Sequence, residues 1–212
     1  MASKGERSRE KILATAEALV LDRGFAGTSL DDILKTAGLT KGAFFHHFKS
    51  KGDLATALVE RYRRNHARLF ERLLAEADAE CDDPLDATMH LLRRFEAYIE
   101  ARAKPLPGCV FAACTHESGQ FDPTLRDIIA ASLKRWSAIY EGKFGAVLAC
   151  YEPKMPIAAK ELSEMIVAVI EGGLILSRSY GDAHLVARQS RQFRNYLQLL
   201  FAEREPRSAA QG

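Results

Sequence analysis

Long apolar runs are missing from the sequence: nowhere do about 18 apolar residues follow one another, the length a bilayer-spanning helix needs. Charge of one sign is missing too. Against 30 lysines and arginines stand 28 aspartates and glutamates, a formal net charge of +2. The total therefore does not announce a polyanionic partner, and any such case rests on where the charge sits. Cysteine is sparse. Cys81, Cys109, Cys114 and Cys150 are widely and irregularly spaced. The opening MASKGERSRE is polar, with no apolar stretch behind it to act as a secretory signal. Reduced thiols in a soluble, cytoplasmic protein are the expectation, not a disulfide framework. Strand signals are nearly absent, with neither an alternating Val/Ile/Thr run nor an Asn-Gly hairpin. A Gly-rich phosphate loop, a nucleophile elbow and a metal-ligand cluster are also absent. No cofactor is expected.

What is present reads at helical period. Hydrophobic residues make up 47% and charged residues 27%, an ordinary globular balance. Over 9–21, Ile12, Leu13, Ala16, Leu19 and Val20 form one stripe, with Ser8 as its expected N-cap and Gly24 as its stop. Thr28 and Ser29 can cap a short helix carrying Leu30, Ile33, Leu34 and Ala37, which Gly38 ends. Thr40 caps another over 41–48, and a longer helix carries Leu54, Leu58, Tyr62, Leu69 and Leu73. Pro84 opens a fifth helix. Further helices are expected over 109–119, 123–148, 158–180 and 183–203, followed by a polar tail. The expected fold is all-α: an N-terminal three-helix helix-turn-helix domain (1–54), a larger helical ligand-binding and dimerisation domain (55–205), and a flexible tail (206–212).

Two short helices joined by a tight Gly-containing turn, packed on a preceding helix, are the ingredients of a helix-turn-helix. The second, TKGAFFHHF, suits insertion beside a phosphate backbone. Its first-turn amides and Thr40 offer a positive dipole end, and Gly42 lets a backbone approach. Ala43 and Phe44 are small or apolar enough to meet base edges in a major groove. Lys41, Lys49 and Lys51 stand between Gly38 and Lys51 with no acidic residue among them, and His46 and Lys51 can join Lys41 on phosphates. The same pattern also serves as core, and Phe48 with at least one other phenylalanine reads that way.

The line Ile12-Leu13-x-x-Ala16, Gly24-Phe25, Thr28-Ser29, Ile33, Ala37-Gly38-Leu39-Thr40-Lys41-Gly42, Phe44-Phe45-His46-His47-Phe48, Lys51 and Leu54 closely resembles the tetracycline-repressor (TetR) family of bacterial regulators. The resemblance covers about the first 55 residues. It implies that Thr28, Thr40, Lys41, Gly42, Phe45, His46 and Lys51 face double-stranded DNA, with Ser29, Ala43 and Phe44 completing the set. Phe45 departs from a tyrosine frequent in the family, so a hydroxyl-to-phosphate contact is expected to be lost. The resemblance further implies a homodimer and a C-terminal site for a small-molecule effector.

Two later helices suit a dimer. Adjacent Gly172 and Gly173 inside a helix cost about 1 kcal/mol each relative to alanine, which close approach of another helix recovers. Val169, Gly172, Gly173, Leu176, Phe193 and Leu197 are the expected interface, a two-fold four-helix arrangement. The expected effector site draws on Tyr62, Phe95, Tyr98, Cys109, Phe111, His116, Trp136, Ile139 and Tyr140, most of them equally good core residues. The segment 107–127 also resembles one branch of TetR-like regulators.

Cys109 and Cys114 lie about 140° apart on a helical wheel, which disfavours a shared metal. His46 and His47 are adjacent and make a poor metal pair. Cys109 and Cys114 are either buried and inert or oxidant-sensing thiols, with His116 lowering the pKa of Cys109. The leading mechanism is a repressor released from a palindromic operator by an effector, with the helix over 53–74 as lever. Thiol oxidation or alkylation, a ligand-independent DNA-binding protein, and a small helical enzyme are the alternatives.

Overall fold

The computed structural model describes residues 3–117, 119, 121 and 123–202, excluding the side chain of His116. Within them are helices and no strands: α1 (Lys4–Arg23), α2 (Leu30–Ala37), α3 (Lys41–Phe45), α4 (Lys51–Glu80), α5 (Pro84–Glu100), α6 (Val110–His116), α7 (Pro123–Cys150), α8 (Ala159–Tyr180) and α9 (Leu185–Leu200). None of these helices is long and apolar enough to cross a membrane. The expected tail over 206–212 lies outside the described residues.

By internal contact the chain divides into two compact units. One holds the described residues of Met1–Ala67 and Pro107–Ser132; the other holds those of Arg68–Leu106 and Leu133–Gly212. The divisions at Ala67/Arg68 and Ser132/Leu133 fall within the residue ranges of α4 and α7.

The first unit starts earlier than its hydrophobic stripe implies. Ser3, not Ser8, caps α1: its hydroxyl accepts from the Glu6 amide at 3.1 Å, and the Ser3 amide donates to the Glu6 carboxylate at 2.6 Å. Ile12, Leu13, Ala16 and Val20 are buried, as the stripe requires. Ser29 and Asp32 form the same reciprocal cap on α2, and Gly38 closes it at φ 62°, a left-handed conformation that costs glycine little. α3 ends at Phe45, three residues short of expectation, because the His47 amide turns back to the Phe44 carbonyl at 2.8 Å and tightens the chain. α4 is pinned to α1 through Arg61. Its guanidinium donates to Glu10 at 2.8 Å from Nε and also to Glu17.

In the second unit Asp83 caps α5, accepting from the amides of Leu85 and Asp86, with Pro84 at the first helical position where no N–H is needed. Phe70, Leu91, Leu92, Tyr140, Phe144, Ile166, Phe193 and Leu197 share its core. α9 packs on both α5 and α8. Against α5 it places Arg194 on the buried Glu96 through two hydrogen bonds of 2.9 and 3.1 Å, which compensates the cost of burying that carboxylate.

Candidate nucleic-acid interface

The helices α2 and α3 both pack on α1. Phe44 and Phe48 are fully inside, with ring centroids 5.4 Å apart. Thr40 accepts from the Ala43 amide at 3.2 Å, so the first-turn amides of Lys41 and Gly42 have no intrahelical acceptor. Lys41, Gly42, Phe45 and His46 are exposed, and Phe45 at 57% is an unusual place for a phenylalanine. Lys41 pairs with Asp31 at 3.0 Å, an exposed contact that a phosphate can replace at little cost. Ala43 is half-buried.

Three expected DNA-facing residues are turned elsewhere. Phe44 is 0% exposed and belongs to the core, where its ring packs against Phe48. Thr28 is equally buried; its hydroxyl donates to the Gly24 carbonyl at 2.7 Å and closes the α1–α2 turn. Lys51 reaches inward. Its ammonium donates to the Phe25 carbonyl at 2.8 Å and stands 4.4 Å from the Phe25 ring centroid. Burial lowers the pKa of that ammonium, while the Glu117 carboxylate opposes the shift. Ser29 is exposed, but its hydroxyl is committed to Asp32, donating at 2.6 Å and accepting from the Asp32 amide at 3.0 Å. Hydrogen bonds from the Ser29 side chain and then its backbone hold the Asp32 carboxyl below the usual carboxylate range.

The start of α1 supplies basic groups that the sequence reading missed. Lys4 and Arg7 are exposed, Gly5 lies against the His47 ring, and the Arg9 guanidinium lies over Phe48, 5.3 Å from its centroid. The signal was available: Ser3-Lys4-Gly5-Glu6 is a capping-box spacing that begins the helix five residues before Ser8. Burial, then His46 and Arg9, lowers the His47 pKa.

The expected effector residues fall in both units. Tyr62, Cys109 and Phe111 belong to the first, where the Tyr62 and Phe111 rings meet edge to face at 5.1 Å and Tyr62 lies 4.0 Å from His66. Phe95, Tyr98, Trp136, Ile139 and Tyr140 belong to the second. There Phe70 gathers Trp136 at 4.7 Å and Tyr140 at 5.2 Å, and the Arg102 guanidinium lies over the Tyr98 ring. Tyr140 is core, and burial pushes its hydroxyl pKa up. The His116 side chain lies outside the described residues. Cys109 and Cys114 are buried, and none of the four cysteines is in a disulfide. Burial first, then the Glu117 carboxylate, pushes the Cys114 thiol up to about 12, the reverse of what a sensing thiol needs.

The expected dimer residues also separate. Phe193 and Leu197 are buried in the chain's own core, because α9 turns that face to α5 and α8. Gly173 is buried against Val186 of α9 within the same chain. Val169 and Gly172 are half-buried and Leu176 is exposed. Leu176, one of the expected interface residues, is exposed together with Met165, Ile175 and Tyr180 as an apolar surface along α8.

A short capped helix whose outer face is basic and aromatic, set by a glycine turn on a second helix, defines a helix-turn-helix DNA-binding protein. Comparison with known proteins narrows the class. Residues 12–58 match the family described as bacterial regulatory proteins, tetR family, and residues 84–192 match the transcriptional regulator LmrA/YxaF-like C-terminal domain. The chain belongs to the TetR family and is a DNA-binding transcriptional regulator. It is 29% identical over 171 residues to the HTH-type transcriptional regulator LmrA of Bacillus subtilis, covering 80% of this chain and 86% of LmrA. The repressor NemR of Escherichia coli is 49% identical over 67 residues, 31% of this chain and 34% of NemR. A TetR transcriptional regulator from Chloroflexus aurantiacus superposes with a TM-score of 0.73 at 27% identity, over 92% of this chain and 96% of that one.

Proposed function

We propose that the chain is a homodimeric repressor that a small-molecule effector releases from a two-fold-symmetric operator. One observation supports the DNA-facing assignment of α3 above the others. A Cβ on Gly42 would meet only the Thr40 hydroxyl, at 3.8 Å, so nothing inside the chain calls for a glycine there. That open, exposed side leaves room for a phosphate backbone to approach the first turn. Lys41 and His46 then contact phosphates, and Phe45 packs on sugar or base edges. In this reading residues 1–54 bind DNA, and residues 55–205 hold the effector and the dimer contacts.

The α8 stripe supports the dimer. Two recognition helices about 34 Å apart fit successive major grooves, and an effector that favours another separation lowers affinity by its difference in binding free energy. Tyr62 with Phe111, and Phe95 and Tyr98 with Trp136, are the aromatic groups offered to an effector. The chain acts by binding and not by catalysis, in the cytoplasm where its DNA is.

The test is Gly42→Leu, with duplex affinity and thermal midpoint measured together. Affinity is expected to fall at least about tenfold while the midpoint stays within about 2 °C. Unchanged affinity would remove α3 from the DNA. A library of aromatic small molecules added to the wild-type complex tests the effector. Loss of DNA with at least one member supports it, and loss with none counts against it.

A further inference from the structure

One contact inside the first unit joins the two matched family regions, and neither the fold class nor the motif accounts for it. The α1–α2 turn, residues 24–28, belongs to the region matched over 12–58. Glu117, which follows α6, belongs to the region matched over 84–192. Its Oε2 accepts from the Ala26 amide at 2.6 Å, across a sequence separation of 91. Its Oε1 lies where a Cβ on Gly24 would stand, at 2.4 Å, so the glycine at φ 80° also leaves room for the carboxylate.

The turn is gripped elsewhere as well. The Phe121 ring meets Phe25 edge to face at 4.9 Å. Lys51 holds the Phe25 carbonyl from the start of α4, and Glu117 is the carboxylate acting on that ammonium. Thr28, the turn's last residue, and Ser29, the cap that follows it, set the entry to α2, whose C-cap at Gly38 leads two residues later to the Thr40 cap of α3. A shift of the turn is therefore passed through one eight-residue helix to the DNA-facing surface.

We infer that Glu117 is a positioning residue for DNA binding: its carboxylate holds the α1–α2 turn in the shape that presents α3. A hydrogen bond to a charged acceptor is shorter and about twice as strong as a neutral one, and it is lost over roughly 1 Å of movement. The geometry gives the C-terminal region a direct grip on the turn before the helix-turn-helix, separate from the lever of α4. The positioning role rests on the DNA-facing assignment of α3 proposed above.

The test uses the full chain and a duplex selected from a random-sequence pool. Glu117→Ala removes the acceptor. It is expected to raise Kd about tenfold, to speed hydrogen exchange at the Ala26 amide, and to move the thermal midpoint by no more than about 2 °C. Glu117→Gln keeps an acceptor without the charge and is expected to fall between, at about threefold. Faster exchange at Ala26 with Kd unchanged within twofold would overturn the inference. So would a Glu117→Ala variant that binds poorly only because it unfolds, while Glu117→Gln binds like the wild type. Failure of the wild type to bind any duplex would instead sink the DNA-binding assignment of α3, which separates the two.

Discussion

Gly173 of α8 and Val186 of α9 pack backbone to backbone: a methyl on Gly173 would stand 3.3 Å from the Val186 Cα, whereas one on Gly172 would meet nothing within 4 Å. The two adjacent glycines therefore do different things. Gly173→Leu is expected to lower stability by about 1–3 kcal/mol through overpacking, read as a lower urea midpoint. Gly172→Ala is expected to leave stability unchanged or raise it by up to about 1 kcal/mol, since it only improves helix propensity. Equal losses at both positions would contradict this packing.

The apolar stripe on α8 leads to a second expectation. Ile175→Glu with Leu176→Glu places charges on the proposed dimer face without touching the core, so sedimentation should report a folded monomer. Phe193→Ala, by contrast, opens a cavity inside the subunit and should cost about 3–5 kcal/mol of stability. A double-glutamate variant that remains a dimer would place the interface elsewhere.

Thiol chemistry separates the cysteines. Burial pushes the Cys114 thiol up to about 12, so it stays protonated at pH 8. Cys150 is exposed. Brief treatment with iodoacetamide at pH 8, followed by mass spectrometry of peptides, should find Cys150 alkylated and Cys114 intact, and peroxide should leave duplex binding unchanged. Rapid labelling of Cys114 would contradict this reading and favour a thiol switch at that residue.

The reciprocal cap on α2 has a pH signature. Hydrogen bonds with Ser29 hold the Asp32 carboxyl down, so the folded state favours its ionised form. For a carboxylate held down in this way, the stability it contributes is present above the unfolded value near 3.8 and is lost as pH falls through the lower folded value. Asp32→Asn should therefore show a shallower fall in urea midpoint than the wild type between about pH 5 and pH 2. Parallel curves would mean that the cap carries no proton linkage.

The described helices and most of their boundaries could be read from the sequence: a 3.6-residue stripe, a capping residue and a stop glycine agree at α2, Asp83 and Pro84 mark the start of α5, and Gly181 stops α8. Lys41, Gly42, Phe45 and His46 were identifiable by motif, and the structure leaves them exposed. The errors have physical sources. Phe44 and Phe45 are neighbours about 100° apart on a five-residue helix, too short for periodicity to say which one faces in. Thr28 and Lys51 look like surface residues because their partners, the carbonyls of Gly24 and Phe25, are backbone atoms that side-chain patterns do not reveal. Phe193 and Leu197 were assigned to a dimer because an amphipathic helix does not disclose whether its apolar face meets its own chain or another. Glu117 had no local signal at all, since its partner is 91 residues away.

Binding of a fluorescent duplex, selected from a random-sequence pool, across a salt series for the wild type and Lys41→Ala tests the central claim most directly. The α3 surface is expected to bind tightly with a steep salt dependence, and Lys41→Ala to weaken binding and reduce the slope of log K against log salt by about one per protomer. Recovery of no duplex, or a Lys41→Ala variant with wild-type affinity and slope, would contradict the assignment of this face to DNA.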